Sequence, residues 1–180
     1  DFRNFFKPQD ALVYNINTSI EDTLKLVNSI YEKEKIVIYT EYEENLLTLG
    51  YPNEINQVII NILNNARDII LEKNSDVKTV LIKTYKESDN LLSITITDCA
   101  GGVPEDIIDK VFDPYITTKS EDKGTGIGLD MSKTIVEKVD GSISVENIIT
   151  KIEDKEYLGA SFKITLPLSK EKAKEEIKED

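Results

Sequence analysis

The sequence predicts a two-layer α/β sandwich, a mixed and mainly antiparallel sheet with about three helices on one face. Three observations carry this. Strand-like and helix-like stretches do not alternate as a regular parallel fold would require. In the stretch Leu-Leu-Ser-Ile-Thr-Ile-Thr97, Leu92, Ile94 and Ile96 alternate with Ser93, Thr95 and Thr97, so one sheet face is buried and the other polar. Over residues 54–72, Ile55, Val58, Ile59, Ile62, Leu63, Ala66, Ile69 and Ile70 form one continuous apolar arc at helical spacing, long enough to cover a sheet.

Taken in order, residues 1–9 are aromatic and stop at Pro8, and a helix there ends at or before the preceding residue. Residues 11–17 read as a short strand. Thr18-Ser-Ile-Glu21 is a capping-box pattern, followed by Ile20, Leu24, Val27 and Tyr31 on one helical face. Residues 36–42 alternate and are β-branched, which predicts a strand; 46–49 is a second short one. Gly50-Tyr-Pro-Asn53 leads into the long helix. Strands follow over 77–85 and 91–97, with a turn at 86–90 between them. Residues 105–111 read as a short helix and 112–123 as a loop rich in turn residues. Gly124-Thr-Gly-Ile-Gly128 opens a helix over 129–139 that Gly141 stops. Residues 142–148 and 157–166 close the chain as a hairpin, and 169–180 form a charged tail.

Length and composition narrow the function. The 180 residues suffice for one domain with a proper core. No apolar run reaches membrane-spanning length, and a single cysteine, Cys99, permits no disulfide within the chain, so a reducing compartment, the cytoplasm, is expected. The 34 acidic against 22 basic residues argue against binding nucleic acid or an anionic membrane through the general field. An anionic ligand must then be held by local devices. The chain has no histidine, which excludes Ser-His-Asp chemistry and histidine-based zinc sites.

Three stretches carry chemistry. On the long helix, Asn61, Asn64, Asn65 and Asp68 rotate away from the apolar arc. Asparagine is a poor helix former, since its short amide competes with the backbone. The stripe is either a solvated face or a row of neutral oxygens aimed at a ligand. Gly124-Thr-Gly-Ile-Gly-Leu129 sets three glycines at a helix start, where free N–H groups and the dipole favour phosphate; the alternative is a hinge. It is neither a Walker A loop nor the dinucleotide fingerprint. Asp98-Cys-Ala-Gly-Gly102 follows a strand end directly; the carboxylate either accepts from an exocyclic amine or caps a turn.

Together these stretches resemble the ATP-binding catalytic domain of sensor histidine kinases, within the superfamily of the gyrase, mismatch-repair and heat-shock ATPases. Residues 61–65 look like its N-box, Asp98-Cys-Ala-Gly-Gly102 its first glycine box, and Phe112-Asp-Pro-Tyr115 with Thr117-Thr-Lys119 its F-box and lid. Gly124 to Leu129 looks like its second glycine box and Gly159-Ala-Ser-Phe-Lys-Ile-Thr-Leu-Pro167 its closing strand. Order and spacing match over about residues 11–168. There are departures: Ala100 stands where the family often has glycine, Tyr115 replaces the commoner phenylalanine, and Asp68 stands where many members have a phosphate-facing lysine.

The resemblance implies that residues 1–10 end an upstream dimerisation helix or linker, 11–168 form the ATP-binding domain, and 169–180 are a tail. It implies ATP and Mg2+ as cofactors, with Asn61 and Asn65 offering amide oxygens to the metal and acting catalytically with Lys119. It implies a nucleotide site formed by Asn61, Asn65, Arg67, Asp68, Asp98, Ala100, Gly102, Val103, Thr118, Lys119, Gly124, Thr125, Gly126, Ile127, Gly128, Leu129 and Thr165. Lys119 or Arg67 would replace the missing lysine charge, and Thr165 would assist Asp98 through water. The implied partners are a histidine-bearing dimerisation domain of the same kinase and a response regulator. The full-length protein would be a homodimer, either soluble or membrane-anchored as a whole, and this domain makes no membrane contact. The competing readings are a gyrase- or chaperone-like ATPase, which usually carries a glutamate on the asparagine helix, and a nucleotide-sensing module without catalysis.

Overall fold

Five strands in the order β2-β4-β5-β7-β6 form the main sheet of the computed structural model, which describes residues 10–114, 116 and 128–170. The strands are β1 (Leu12–Asn15), β2 (Val37–Tyr42), β3 (Leu47–Gly50), β4 (Thr79–Lys86), β5 (Leu91–Asp98), β6 (Ser142–Ile152) and β7 (Lys155–Pro167). Only the β2–β4 pair is parallel; β4–β5, β5–β7 and β7–β6 are antiparallel. β1 and β3 make a separate antiparallel pair. The helices are α1 (Ile16–Lys33), α2 (Pro52–Glu72) and α3 (Gly128–Lys138). The predicted sandwich is the one observed. Residues 1–9 and 171–180, to which the sequence assigns a helix end and most of a charged tail, lie outside the described residues.

The register explains why the helices share one face. Ile82, Ile96, Phe162 and Val145 lie in one cross-strand row, and Ile94, Ile164 and Ile143 in another. These rows join the α1 residues Ile16, Ile20, Val27 and Tyr31 and the α2 arc in a single core. At roughly 1.5–3 kcal/mol per fully buried large aliphatic side chain, these rows and arcs dominate the stability. The opposite face of β5 is not simply a wet polar surface. Ser93 and Thr97 are buried, and their hydroxyls pair across the strand with Thr165 (3.2 Å) and Ser161 (2.8 Å). Cross-strand hydroxyl pairing satisfies these groups where water does not reach them.

Several element ends differ from the sequence reading. α1 begins at Ile16, and its cap is Asn15, whose side chain accepts from Asn17 N at 2.9 Å; the Thr18 box is not the cap. Ser19 is instead buried against Asn56 of α2. α2 begins at Pro52, as proline at a first helical position favours. The short helix expected over 105–111 is a turn followed by a 3-10 helix at Ile108–Lys110. The closing hairpin is longer than expected, with only Glu153 and Asp154 between its strands.

All three helices end in Schellman geometry with a non-glycine residue at positive φ: Lys35 (58°), Asn74 (45°) and Asp140 (59°). The following N–H reaches back five residues in each, Ile36 to Tyr31 O, Ser75 to Ile70 O and Gly141 to Val136 O. Gly141 is therefore not the left-handed residue. It is needed because a Cβ there would lie 2.7 Å from Thr165 O on β7.

Candidate functional site

β5 ends in Asp98, where the sheet stops and the chain turns into a loop. The Asp98 side chain is buried, and both hydrogen bonds it accepts from the described residues go to Oδ1: Ala100 N at 2.9 Å and Ala160 N at 3.3 Å. Oδ2 accepts no hydrogen bond from the described residues. Burial pushes the carboxyl's pKa up, while the two backbone donors and Lys73 oppose that rise. Cys99 beside it is buried, and its thiol is pushed up to about 11, so it is not a nucleophile at neutral pH.

The loop is gripped from three sides. Gly101 N donates to Leu158 O at 2.8 Å, Ser75 Oγ donates to Cys99 O at 3.2 Å, and Val103 exchanges two hydrogen bonds with Asn147 of β6. Gly101 and Gly102 take φ of 90° and 73°, a region that favours glycine. Gly159 on β7 crosses so closely that a Cβ would lie 1.7 Å from Asp98 O. Val103 and Phe112 pack on the core, the Phe112 ring edge-to-face on Phe162 at 6.3 Å. The loop therefore presents a small, rigid surface beside one buried carboxylate oxygen, which suits a planar base with an exocyclic amine.

Asn61 and Asn65 stand on α2, half-buried, one turn apart. Asn61 Nδ2 donates to Gly128 O (3.1 Å) and Ser132 Oγ (3.2 Å), tying α2 to the first turn of α3. Its Oδ1 faces Gln57 Nε2 at 3.1 Å. The tether fixes the amide so that its oxygen points away from α3. The tether also explains why a weak helix former sits in the middle of a good helix. Asn64 is exposed, and Asp68 is partly exposed. Ser132 is buried and donates to Gly128 O at 2.7 Å, and Leu129 packs on the core.

Two predicted residues stand elsewhere. Arg67 is committed to Glu34 through Nε (2.5 Å) and Nη2 (2.6 Å), with Nη1 3.4 Å from Asp68. The pairing lowers the Glu34 pKa and raises that of Arg67. This planar double hydrogen bond clamps the C-terminus of α1 to α2, so the geometry gives Arg67 a structural partner in place of a phosphate. Thr165 faces Ser93, in register five positions along β7 from Ala160, roughly 16 Å at strand rise, so it is not beside Asp98. Ala160 and Ser161 hold that place.

Tyr115, Thr118, Lys119, Gly124, Thr125, Gly126 and Ile127, which the resemblance assigns to the F-box, the lid and the second glycine box, lie outside the described residues. Three residues outside the expected nucleotide site pack against this loop: Asn147; Gly159, which the sequence reading placed only in the closing strand; and Lys73, whose Nζ would be 3.0 Å from a Cβ at Gly101. Gly159 was visible as an isolated glycine in a strand pattern, a sign of close backbone approach. Among the described residues no group of three acidic, cysteine or histidine side chains is placed to hold a metal. Neutral amide oxygens on α2 nevertheless fit a hard divalent ion whose charge is balanced by phosphates. No described helix is long and apolar enough to cross a membrane.

Comparison with known proteins agrees with this geometry. Residues 50–170 match the family described as histidine kinase-, DNA gyrase B- and HSP90-like ATPase. The chain is 32% identical over 165 residues to sporulation kinase A of Bacillus subtilis, covering 89% of this chain and 25% of that protein. It is 30% identical over 156 residues to the signal transduction histidine-protein kinase AtoS of Escherichia coli, covering 86% of this chain and 24% of that protein. It thus spans about a quarter of the length of these relatives. The catalytic domain of histidine kinase ThkA superposes with a TM-score of 0.71 at 25% identity, over 89% of this chain and 99% of that one. The chain belongs to the histidine kinase-, DNA gyrase B- and HSP90-like ATPase family, as an ATP-binding catalytic domain of the sensor-histidine-kinase type.

Proposed function

We propose that this domain binds Mg2+–ATP and delivers the γ-phosphate to a histidine on a separate dimerisation domain of the same protein, from which it passes to a response regulator. The observation that carries the reading is Asp98: a buried carboxylate at a strand end with one oxygen held by the backbone amides of Ala100 and Ala160 and one left open. That oxygen accepts from the adenine amine, while Gly101 and Gly102 allow the ring to lie against backbone. Ala100 and Val103 complete this edge. The triphosphate extends toward α2 and the start of α3. There Asn61 and Asn65 offer oxygens to the metal, and Thr118, Lys119 and residues 124–129 meet the phosphates.

The bound nucleotide supplies the phosphoryl group, and the protein's work is positioning and charge stabilisation, which dominate such transfers. Asn61 keeps α3 against α2 and so sets where the helix start meets phosphate. Asp68 stands at a position where a lysine often stands, and Lys119 supplies positive charge to the phosphates in its place. The absence of a glutamate among Asn61, Asn64, Asn65 and Asp68 favours this reading over water-activating hydrolysis. We assign residues 11–168 to the domain, residues 1–10 to the end of the dimerisation helix, and the full-length protein to a cytoplasm-facing homodimer.

The test separates donor from acceptor. With no histidine, the chain incubated with labelled ATP binds nucleotide but acquires no acid-labile, base-stable phosphate. Adding a histidine-bearing helical hairpin as a separate polypeptide yields label on the hairpin alone, at a rate rising with its concentration. An Asn65→Ala chain fails in that mixture. Robust self-labelling, or an unlabelled mixture with both parts folded and ATP bound, refutes the proposal. ATP hydrolysis without transfer favours the gyrase-like alternative, and binding without either reaction the sensing module.

A further inference from the structure

We infer that Asn147 is a positioning residue for nucleotide binding, holding the Asp98–Val103 loop from β6 in the shape that receives the base. The inference rests on the ATP-binding reading above and adds a residue to it. Ile143, Val145 and Asn147 share one face of β6, and the first two pack against the core. An amide in that apolar stripe needs a reason. It finds one in the loop: Val103 N donates to Asn147 Oδ1 at 2.8 Å, and Asn147 Nδ2 donates to Val103 O at 2.8 Å. One side chain thus satisfies both backbone groups of Val103, as a neighbouring strand would.

Two further contacts connect this pair to the binding surface. Asn147 is in register with Ala160, whose N–H donates to Asp98 Oδ1, so the loop's anchor and the carboxylate share one cross-strand pair. Gly102 lies directly over the amide, where a Cβ would be 2.5 Å from Asn147 Oδ1 and 2.8 Å from Cγ. The glycine box and Asn147 are therefore one fitted unit. Loss of the amide frees Val103 and Gly102 and blurs the surface beside Asp98, with little direct effect on the apolar core. The phosphates are bound elsewhere, so ATP and ADP lose affinity by the same factor.

The experiment measures ATP and ADP affinity by calorimetry for the parent chain, Asn147→Ala, Gly102→Ala and the double variant. The thermal midpoint of each is taken without nucleotide. Asn147→Ala is expected to weaken both nucleotides tenfold or more, equally, while the nucleotide-free midpoint moves by only a few degrees. Adding Gly102→Ala to Asn147→Ala should cost less than adding it to the parent, because the amide it strikes is gone. If Asn147→Ala does not fold, Asn147→Asp decides by the same criteria, since it keeps the acceptor for Val103 N and, ionised, loses the donor to Val103 O. A folded variant that binds ATP within threefold of the parent overturns the inference, as does a loss confined to ATP or full additivity with Gly102→Ala. A parent chain that binds neither nucleotide overturns the proposed function itself, a result distinct from these.

Discussion

Replacing Asp98 by asparagine probes the site with almost no change of shape. Oδ1 is held by Ala100 N and Ala160 N, so the amide oxygen of Asp98→Asn keeps that position and the NH2 takes the place of Oδ2. A donor then faces the donating amine of adenine. The loss is one charge-assisted hydrogen bond, about 1.5–3 kcal/mol, or roughly 10- to 150-fold in ATP affinity. Rotating the amide instead breaks the hydrogen bonds from Ala100 N and Ala160 N, at a similar total cost of about 1–3 kcal/mol. Guanine presents a carbonyl oxygen where adenine has its amine, so the parent carboxylate repels it and the variant's amide NH2 donates to it. The ATP-to-GTP affinity ratio should therefore fall sharply in Asp98→Asn. Calorimetry with non-hydrolysable analogues measures both. The nucleotide-free protein should melt no lower than the parent, because burial already disfavours the charged carboxyl. An Asp98→Asn chain with ATP affinity within threefold of the parent and an unchanged base preference would refute the assignment.

Other outcomes follow from the same geometry. Because the folded pKa of Asp98 is raised above the ordinary 3.8, the stabilisation it contributes is present below the unfolded pKa and lost as pH rises through the folded one. ATP affinity runs the other way, falling as pH drops through that raised pKa; the ratio of parent to Asp98→Asn affinity across pH isolates this, and a flat ratio contradicts it. Gly159→Ala forces β7 off Asp98 O and should cost at least about 3 kcal/mol, lowering the thermal midpoint by roughly 6–12 °C; an unchanged midpoint would mean the crossing is looser than described. Arg67→Ala should cost about 1 kcal/mol of stability while leaving ATP affinity within threefold, since its guanidinium serves Glu34; a tenfold affinity loss would return Arg67 to the phosphates.

What could be read from the sequence was what periodicity and local chemistry encode. The α2 arc, the alternation of Leu92, Ile94 and Ile96, and the order of elements carried the sandwich, because burial on one face leaves a repeating mark in the chain. Element ends were less legible. The Thr18 box satisfies a local rule but yields to Asn15, because Ser19 is buried against α2 and the helix must already be formed there. Gly141 looks like a helix stop, yet Asp140 takes the left-handed turn and the glycine answers to β7.

The site divides along the same line. Asp98, Gly102 and the Asn61–Asn65 pair stand out in the sequence because each sits in a contiguous motif. The errors and omissions depend on register. The resemblance puts Thr165 near Asp98, and a resemblance carries no register; antiparallel pairing of Thr97 with Ser161 sets Thr165 opposite Ser93 instead. Arg67, one of the two residues expected to replace the missing lysine charge, has no sequence neighbour that points to Glu34, a residue 33 positions away that only the packing of α1 on α2 brings within reach. Asn147 has no local signal beyond a polar residue in an apolar stripe, and that irregularity has meaning only once Val103 and Gly102 are seen across from it. A residue that holds a ligand loop from the neighbouring strand is thus detectable in sequence as a broken pattern, and the fold supplies the reason for the break.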